Sequence, residues 1–64
     1  MCLATVYKTM KDTEEVVLKN ASKIYVEGDS VRLIDIMGAE VVVEGAISFV
    51  DLTGSVVKLN CPSA

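Results

Sequence analysis

The stretch Ile24-Tyr25-Val26-Glu27-Gly28-Asp29-Ser30-Val31-Arg32-Leu33 decides the fold. Before the turn, residues 23–27 alternate Ile24 and Val26 against Tyr25. After it, residues 31–37 resume with Val31 and Leu33. A period of two reads as a half-buried strand, and Gly28-Asp29-Ser30 between two such runs reads as a hairpin connection. The same pattern extends in both directions. Residues 3–9 form a first strand, Lys11-Asp12-Thr13 a turn, and residues 15–19 a second strand with Val16 and Leu18 on one face. Asn20-Ala21-Ser22 breaks that strand before the hairpin begins. Beyond it, Gly38 closes the run 31–37, residues 40–44 carry Val41, Val42 and Val43, and Gly45 follows. Leu52-Thr53-Gly54-Ser55 turns the chain into a last strand over 56–59.

One segment has a helical competitor. Asp12-Thr13-Glu14-Glu15 places an acceptor side chain three residues before a glutamate, the spacing of a helix start, and Val17, Ala21 and Ile24 could form its stripe. Val16 and Val17 are poor helix formers, and Asn20 and Ser22 are turn formers, so strand is preferred. The expectation is an all-β fold, a small SH3-like antiparallel barrel of five to six short strands. It occupies residues 1–60 as one domain, with 61–64 as a flexible tail. The unalternated Val41-Val42-Val43 needs cover on both faces, from the barrel core and from either another strand or a partner.

At 64 residues and 52% apolar side chains, the chain carries more grease than one small core can hide. A domain of this length buries only about 60% of the surface that its unfolded chain exposes. A homodimer is the economical expectation, since twofold pairing covers the same patch twice. The net charge is −3, and the six basic residues Lys8, Lys11, Lys19, Lys23, Arg32 and Lys58 are dispersed. Nucleic-acid binding needs a basic stripe, which is missing. No apolar run approaches the ~18 residues of a membrane span, and the N-terminal stretch is too short for a signal peptide, so a cytoplasmic location is expected. There Cys2 and Cys61 should stay reduced.

Enzymatic machinery is hard to assemble. There is no His, the commonest general acid–base. Asp35 and Asp51 sit in apolar surroundings where a carboxyl pKa could rise, but exposure or bonding to turn amides is the plainer reading. Tyr7, Tyr25 and Phe49 could stack on bases, yet core or rim packing suits them better without interleaved Lys and Arg.

The residue that carries chemistry is Cys2. Initiator Met is generally removed before a small residue, which would leave an α-amine and a thiol on one residue. Those groups close a five-membered chelate ring around a metal, and they titrate near ~8 and ~8.5. If Met1 stays, its amine, the Cys2 amide nitrogen and the thiolate can still converge on a strongly acidic ion such as Ni(II) or Cu(II). The alternative reading is that Cys2 is a small buried apolar residue opening a strand. Two Cys and no His cannot supply four zinc ligands from one chain.

The order of these segments resembles the CooT family, small proteins named after an accessory factor for nickel insertion into carbon monoxide dehydrogenase. The likeness runs through Met1-Cys2-Leu3-Ala4 with Val6-Tyr7, the stretch from Ile24 to Leu33, and Asp35-Ile36-Met37-Gly38. It continues with Val43-Glu44-Gly45, Ile47, Val50-Asp51-Leu52 and Val56-Val57-Lys58-Leu59. The resemblance implies an SH3-like barrel, a homodimer, and Ni(II) held at the dimer interface through Cys2. It also implies a nickel enzyme or its maturation factors as partners and no catalytic residues. The alternative function is a small β-barrel interaction module that binds RNA or a protein partner, with Cys2 merely packed.

Overall fold

The computed structural model describes residues 3–61, and Met1, Cys2 and residues 62–64 lie outside them. Six strands make one sheet: β1 (Ala4–Met10), β2 (Thr13–Glu27), β3 (Ser30–Asp35), β4 (Glu40–Glu44), β5 (Ala46–Asp51) and β6 (Val56–Asn60), in the order β4-β3-β2-β1-β6-β5. No helix occurs among the described residues, so the capping-box reading of residues 12–15 gives way to strand.

The hairpin at Gly28 forms as the alternation predicts. Val26 pairs with Val31, Ile24 with Leu33, and Tyr25 with Arg32. Val31 and Leu33 are buried, and Ile24 packs against them. Val26, beside the turn, stays exposed. The expected break at Asn20-Ala21-Ser22 is instead a bend inside one 15-residue strand. Asn20 takes a positive φ of 59°, a conformation its short polar side chain tolerates. The register slips between Ala21 and Lys23. Ser22 Oγ donates to the carbonyls of Ile34 (3.2 Å) and Asp35 (3.3 Å) beside that slip. The bend lets the first half of β2 pair with β1 and the second half with β3. In the first half Val16 is exposed opposite Tyr7, while Val17 and Leu18 pack on the core.

Two parts of the barrel expectation are corrected. First, β1 and β6 run parallel, Thr5 beside Val56 through Thr9 beside Asn60. The turn after β5 delivers the chain at the Thr5 end of β1, where Thr5 N–H donates to the Ser55 carbonyl at 2.9 Å. From that point β6 can only follow β1 in the same direction. Second, the sheet is not closed by hydrogen bonds, and β4 and β5 are its edges. Gly45 alone joins them, and one residue is too short a connection for the two-residue turn of a hairpin. The chain instead turns a corner there, with Gly45 N–H donating to the Asp29 carbonyl at 2.9 Å. Val42 consequently lacks cover on the outer face, whereas Val43 packs on the core.

Val6, Ala21, Val31, Leu33, Val57 and Leu59 form the core, contributed by the four central strands. Such a core is small, and many large apolar side chains remain outside it.

Candidate functional site

Cys2, the expected metal ligand, lies outside the described residues, but it is bonded to Leu3, and Leu3 has a defined place. It lines an apolar cleft of about 250 Å³ together with Ala21, Ile24, Val50, Leu52 and Val56. The interior of the sheet opens here because β5 ends at Asp51 and the chain leaves for β6. Two carboxylates shape the surroundings. Asp51 Oδ1 accepts from Thr53 N–H (3.1 Å), Thr53 Oγ1 (3.1 Å) and Gly54 N–H (3.0 Å). The Gly54 amide foremost, with the Thr53 hydroxyl, holds its carboxyl below the ordinary range. Asp35 Oδ1 accepts from the amides of Met37 (2.8 Å) and Ala39 (2.9 Å), which ends β3 two residues before the sequence pattern suggested.

Both carboxylates are thus bonded to turn amides. Asp51 is shifted down, the reverse of what a general acid at neutral pH needs. The two turns push apolar side chains outward: Met37 is 87% exposed and Leu52 83%. Sequence reasoning missed these two as surface features. Their signal was an apolar residue set inside a turn, Met37 before Gly38 and Leu52 after Asp51.

Pairing places both turns at one end of the sheet. Ala4 sits beside Ala21 and Ala21 beside Asp35, while Thr5 sits beside Val56 and Val56 beside Asp51. Ile36 N–H donates to the Asn20 carbonyl at 3.0 Å, next to cleft-lining Ala21. This is the end at which β1 begins. The opposite end is polar, with a broader hollow lined by Gly28, Asp29, Glu44, Gly45, Ala46 and Asn60.

Cys61 belongs to that opposite end. Its N–H donates to the Thr9 carbonyl at 3.2 Å, and it packs against the core. Thr9 is six residues along β1 from Leu3, roughly 20 Å at about 3.3 Å per residue. Within one chain, Cys61 and Leu3 therefore sit at opposite ends of β1. Among the described residues no group of three or more Cys, Asp or Glu side chains is placed to hold a metal.

Three of the six basic residues face carboxylates. Arg32 faces Glu27 (3.0 Å) and Glu40 (3.8 Å), Lys8 faces Glu15 (3.5 Å), and Lys58 faces Glu14 (3.0 Å). The Glu27 hydrogen bond, first among several contacts, raises the Arg32 pKa further. Arg32 covers the Tyr25 ring at 4.4 Å and Lys58 approaches the Phe49 ring at 5.5 Å. Two of the three aromatics that could have stacked on bases, Tyr25 and Phe49, thus already have cations of the same chain against them. No helix among the described residues is long and apolar enough to cross a membrane.

Comparison with known proteins adds a family and a fold. The family model described as CO dehydrogenase accessory protein CooT matches residues 1–60. A crystal structure of a candidate CooT from Carboxydothermus hydrogenoformans superposes with a TM-score of 0.88 at 22% identity, covering 97% of this chain and 100% of that one. At that identity the likeness speaks for the fold. No curated protein matches the chain.

Proposed function

This chain belongs to the CooT family of CO dehydrogenase accessory proteins, which are not catalysts, and on that premise we propose that it is a homodimeric carrier of Ni(II). Nickel is its cargo, destined for a nickel enzyme such as carbon monoxide dehydrogenase or for the factors that mature it, in the cytoplasm. Cys2 is the metal ligand. One observation carries this reading: the thiol-bearing residue is bonded to Leu3 at the rim of an open apolar cleft, and the described residues of one chain offer no rival donor cluster.

Cys2 supplies at most about two strong donors, its thiolate and one nitrogen, whereas Ni(II) in a tetragonal site takes about four. Two chains whose N-termini meet would supply two thiolates and two nitrogens. The protein is then a dimer before metal arrives, and the metal tightens the pair. Titration of Ni(II) into the pure protein, followed by thiolate-to-nickel charge-transfer absorption, should saturate at one metal for two chains. Cys2→Ser should abolish those bands, and a Cys2→Ser protein that bound nickel equally well would sink the assignment.

A further inference from the structure

We propose that β4 is a docking edge for an extended segment of a partner protein, one that carries Lys or Arg at both ends of a short apolar run. This goes beyond the nickel-carrier reading and does not depend on it. β4 is an edge of the sheet, so among the described strands only β3 lies beside it. The pairing with β3 is regular: Glu40 to Glu44 match Ile34 to Ser30 in five successive pairs without a slip. A regular, open edge without proline is a template for one more strand. The other edge is blunted. β5 bulges between Ile47 and Phe49, where Ser48 Oγ donates to the Lys58 carbonyl at 3.2 Å. A bulge of this kind twists an edge away from a newcomer.

The side chains of β4 define what fits. Successive residues point to opposite faces, so Glu40, Val42 and Glu44 share the outer face and are exposed, while Val41 and Val43 are half-buried. Val42 is 58% exposed, at the end of a row that runs through Arg32 to Tyr25. Val43 packs on the core, so the unalternated valines have cover on one face only. A strand laid beside them supplies the rest if it is apolar opposite Val41, Val42 and Val43.

Charge sets the ends. Opposite charges directly across a strand pair are favourable, and like charges are not. Arg32 lies 3.8 Å from Glu40 but is held closer by Glu27, at 3.0 Å. Glu44 lines the same hollow as Asp29. Cations on the newcomer opposite Glu40 and Glu44 therefore meet unbalanced negative charge. A second copy is the wrong occupant. Twofold pairing at full overlap, centred on Val42, would set Glu40 opposite Glu44 of the partner subunit, between two chains that each carry a net charge of −3.

Strand addition along a five-residue edge is a small contact of the transient class, so NMR titration of the metal-free full chain is the test. The probes are short blocked peptides built around Lys-Val-Val-Val-Lys, the same with Glu for Lys, and two versions of the Lys peptide N-methylated at alternate positions. The Lys peptide should shift the amides of residues 40–44, and the Glu peptide should bind on the order of tenfold more weakly. Only one of the two N-methylated peptides should bind, because alternate amides of an added strand face β4 and the others face away. Glu44→Lys, an exposed change that leaves the Arg32 contacts in place, should weaken the Lys peptide several-fold and strengthen the Glu peptide. Equal binding of the Lys and Glu peptides, or of the two N-methylated ones, would overturn the assignment. So would shifts confined to residues 46–51 or to the apolar cleft, or no shift at millimolar peptide. Shifts at 40–44 that grow with protein concentration in the absence of peptide would give the edge to a second copy instead.

Discussion

Replacing Gly45 with Ala should be among the most damaging single-methyl changes in this chain. Gly45 has a φ of +149°, a region that residues with a Cβ rarely enter, at a cost of about 1 to 3 kcal/mol. An added Cβ would lie 2.7 Å from the Asn60 carbonyl oxygen and 3.2 Å from Cys61 Cα. Both are backbone atoms, which cannot swing aside as a flexible side chain does. Overpacking of that kind adds about 1 to 3 kcal/mol. The combined loss of roughly 2 to 6 kcal/mol compares with a total stability of about 3 to 10 kcal/mol for a chain of this length. Gly28→Ala is the control, since Gly28 also has a positive φ (61°) but nothing within 4 Å of its added Cβ. It should lose only about 1 to 2 kcal/mol. Urea unfolding of metal-free protein, at one fixed protein concentration because association shifts apparent stability, gives both values. Gly45→Ala should lower the thermal midpoint by on the order of 20 °C. If it proves no less stable than Gly28→Ala, the close approach of Asn60 is not what makes this corner.

Two further outcomes are expected. Cys61→Ala should bind nickel with wild-type stoichiometry and affinity in the same spectroscopic titration, because Cys61 is anchored at Thr9, the far end of β1; loss of nickel would mean that the two thiols meet. Asp51, whose folded pKa is lowered by the Gly54 amide and the Thr53 hydroxyl, should stabilise its turn fully above its ordinary value of about 3.9 and lose that contribution as pH falls through the depressed one. Asp51→Asn should therefore be less stable than wild type near neutrality, with a gap that closes in acid; a gap unchanged across an acid series of unfolding curves would refute the role given to its charge.

The hairpin at Gly28 was legible because its signal is local, two alternating runs and a turn. That Asp35 and Asp51 are either exposed or bonded to turn amides was legible for the same reason, and the structure shows the turn amides. The bend at Asn20 was not. Turn-forming residues mark a departure from a straight strand, but whether the chain breaks or merely kinks depends on having a partner on each side, β1 for the first half and β3 for the second. Residues 46–51 carry no strand signal of their own in the sequence. Their side chains are almost all exposed, so burial leaves no clear alternation to read. Six strands are found, but two of the expected ones are a single strand, and β5 makes up the number. The parallel pairing of β1 with β6 joins residues about fifty positions apart, and no local pattern encodes it. The position of Leu3 beside the cleft follows from that pairing. Cys2 lies outside the described residues, and its reading rests on its chemistry and on the family resemblance.

The parallel pairing of β1 with β6 also fixes the order in which the molecule can come into being. β1 is synthesised early yet lies near the middle of the sheet, and one of its two neighbours is among the last segments made. β5 has β6 as its hydrogen-bonded neighbour, so it too must wait. A growing chain can zip β1, β2, β3 and β4 in sequence, but it leaves the Val6 side of β1 unpaired until Val56–Asn60 has been made. Contacts between residues this far apart slow folding, because the loop must close before any pairing rewards it. During that interval an apolar strand edge is open to other chains. β1 is thus made almost first and receives its second strand neighbour almost last.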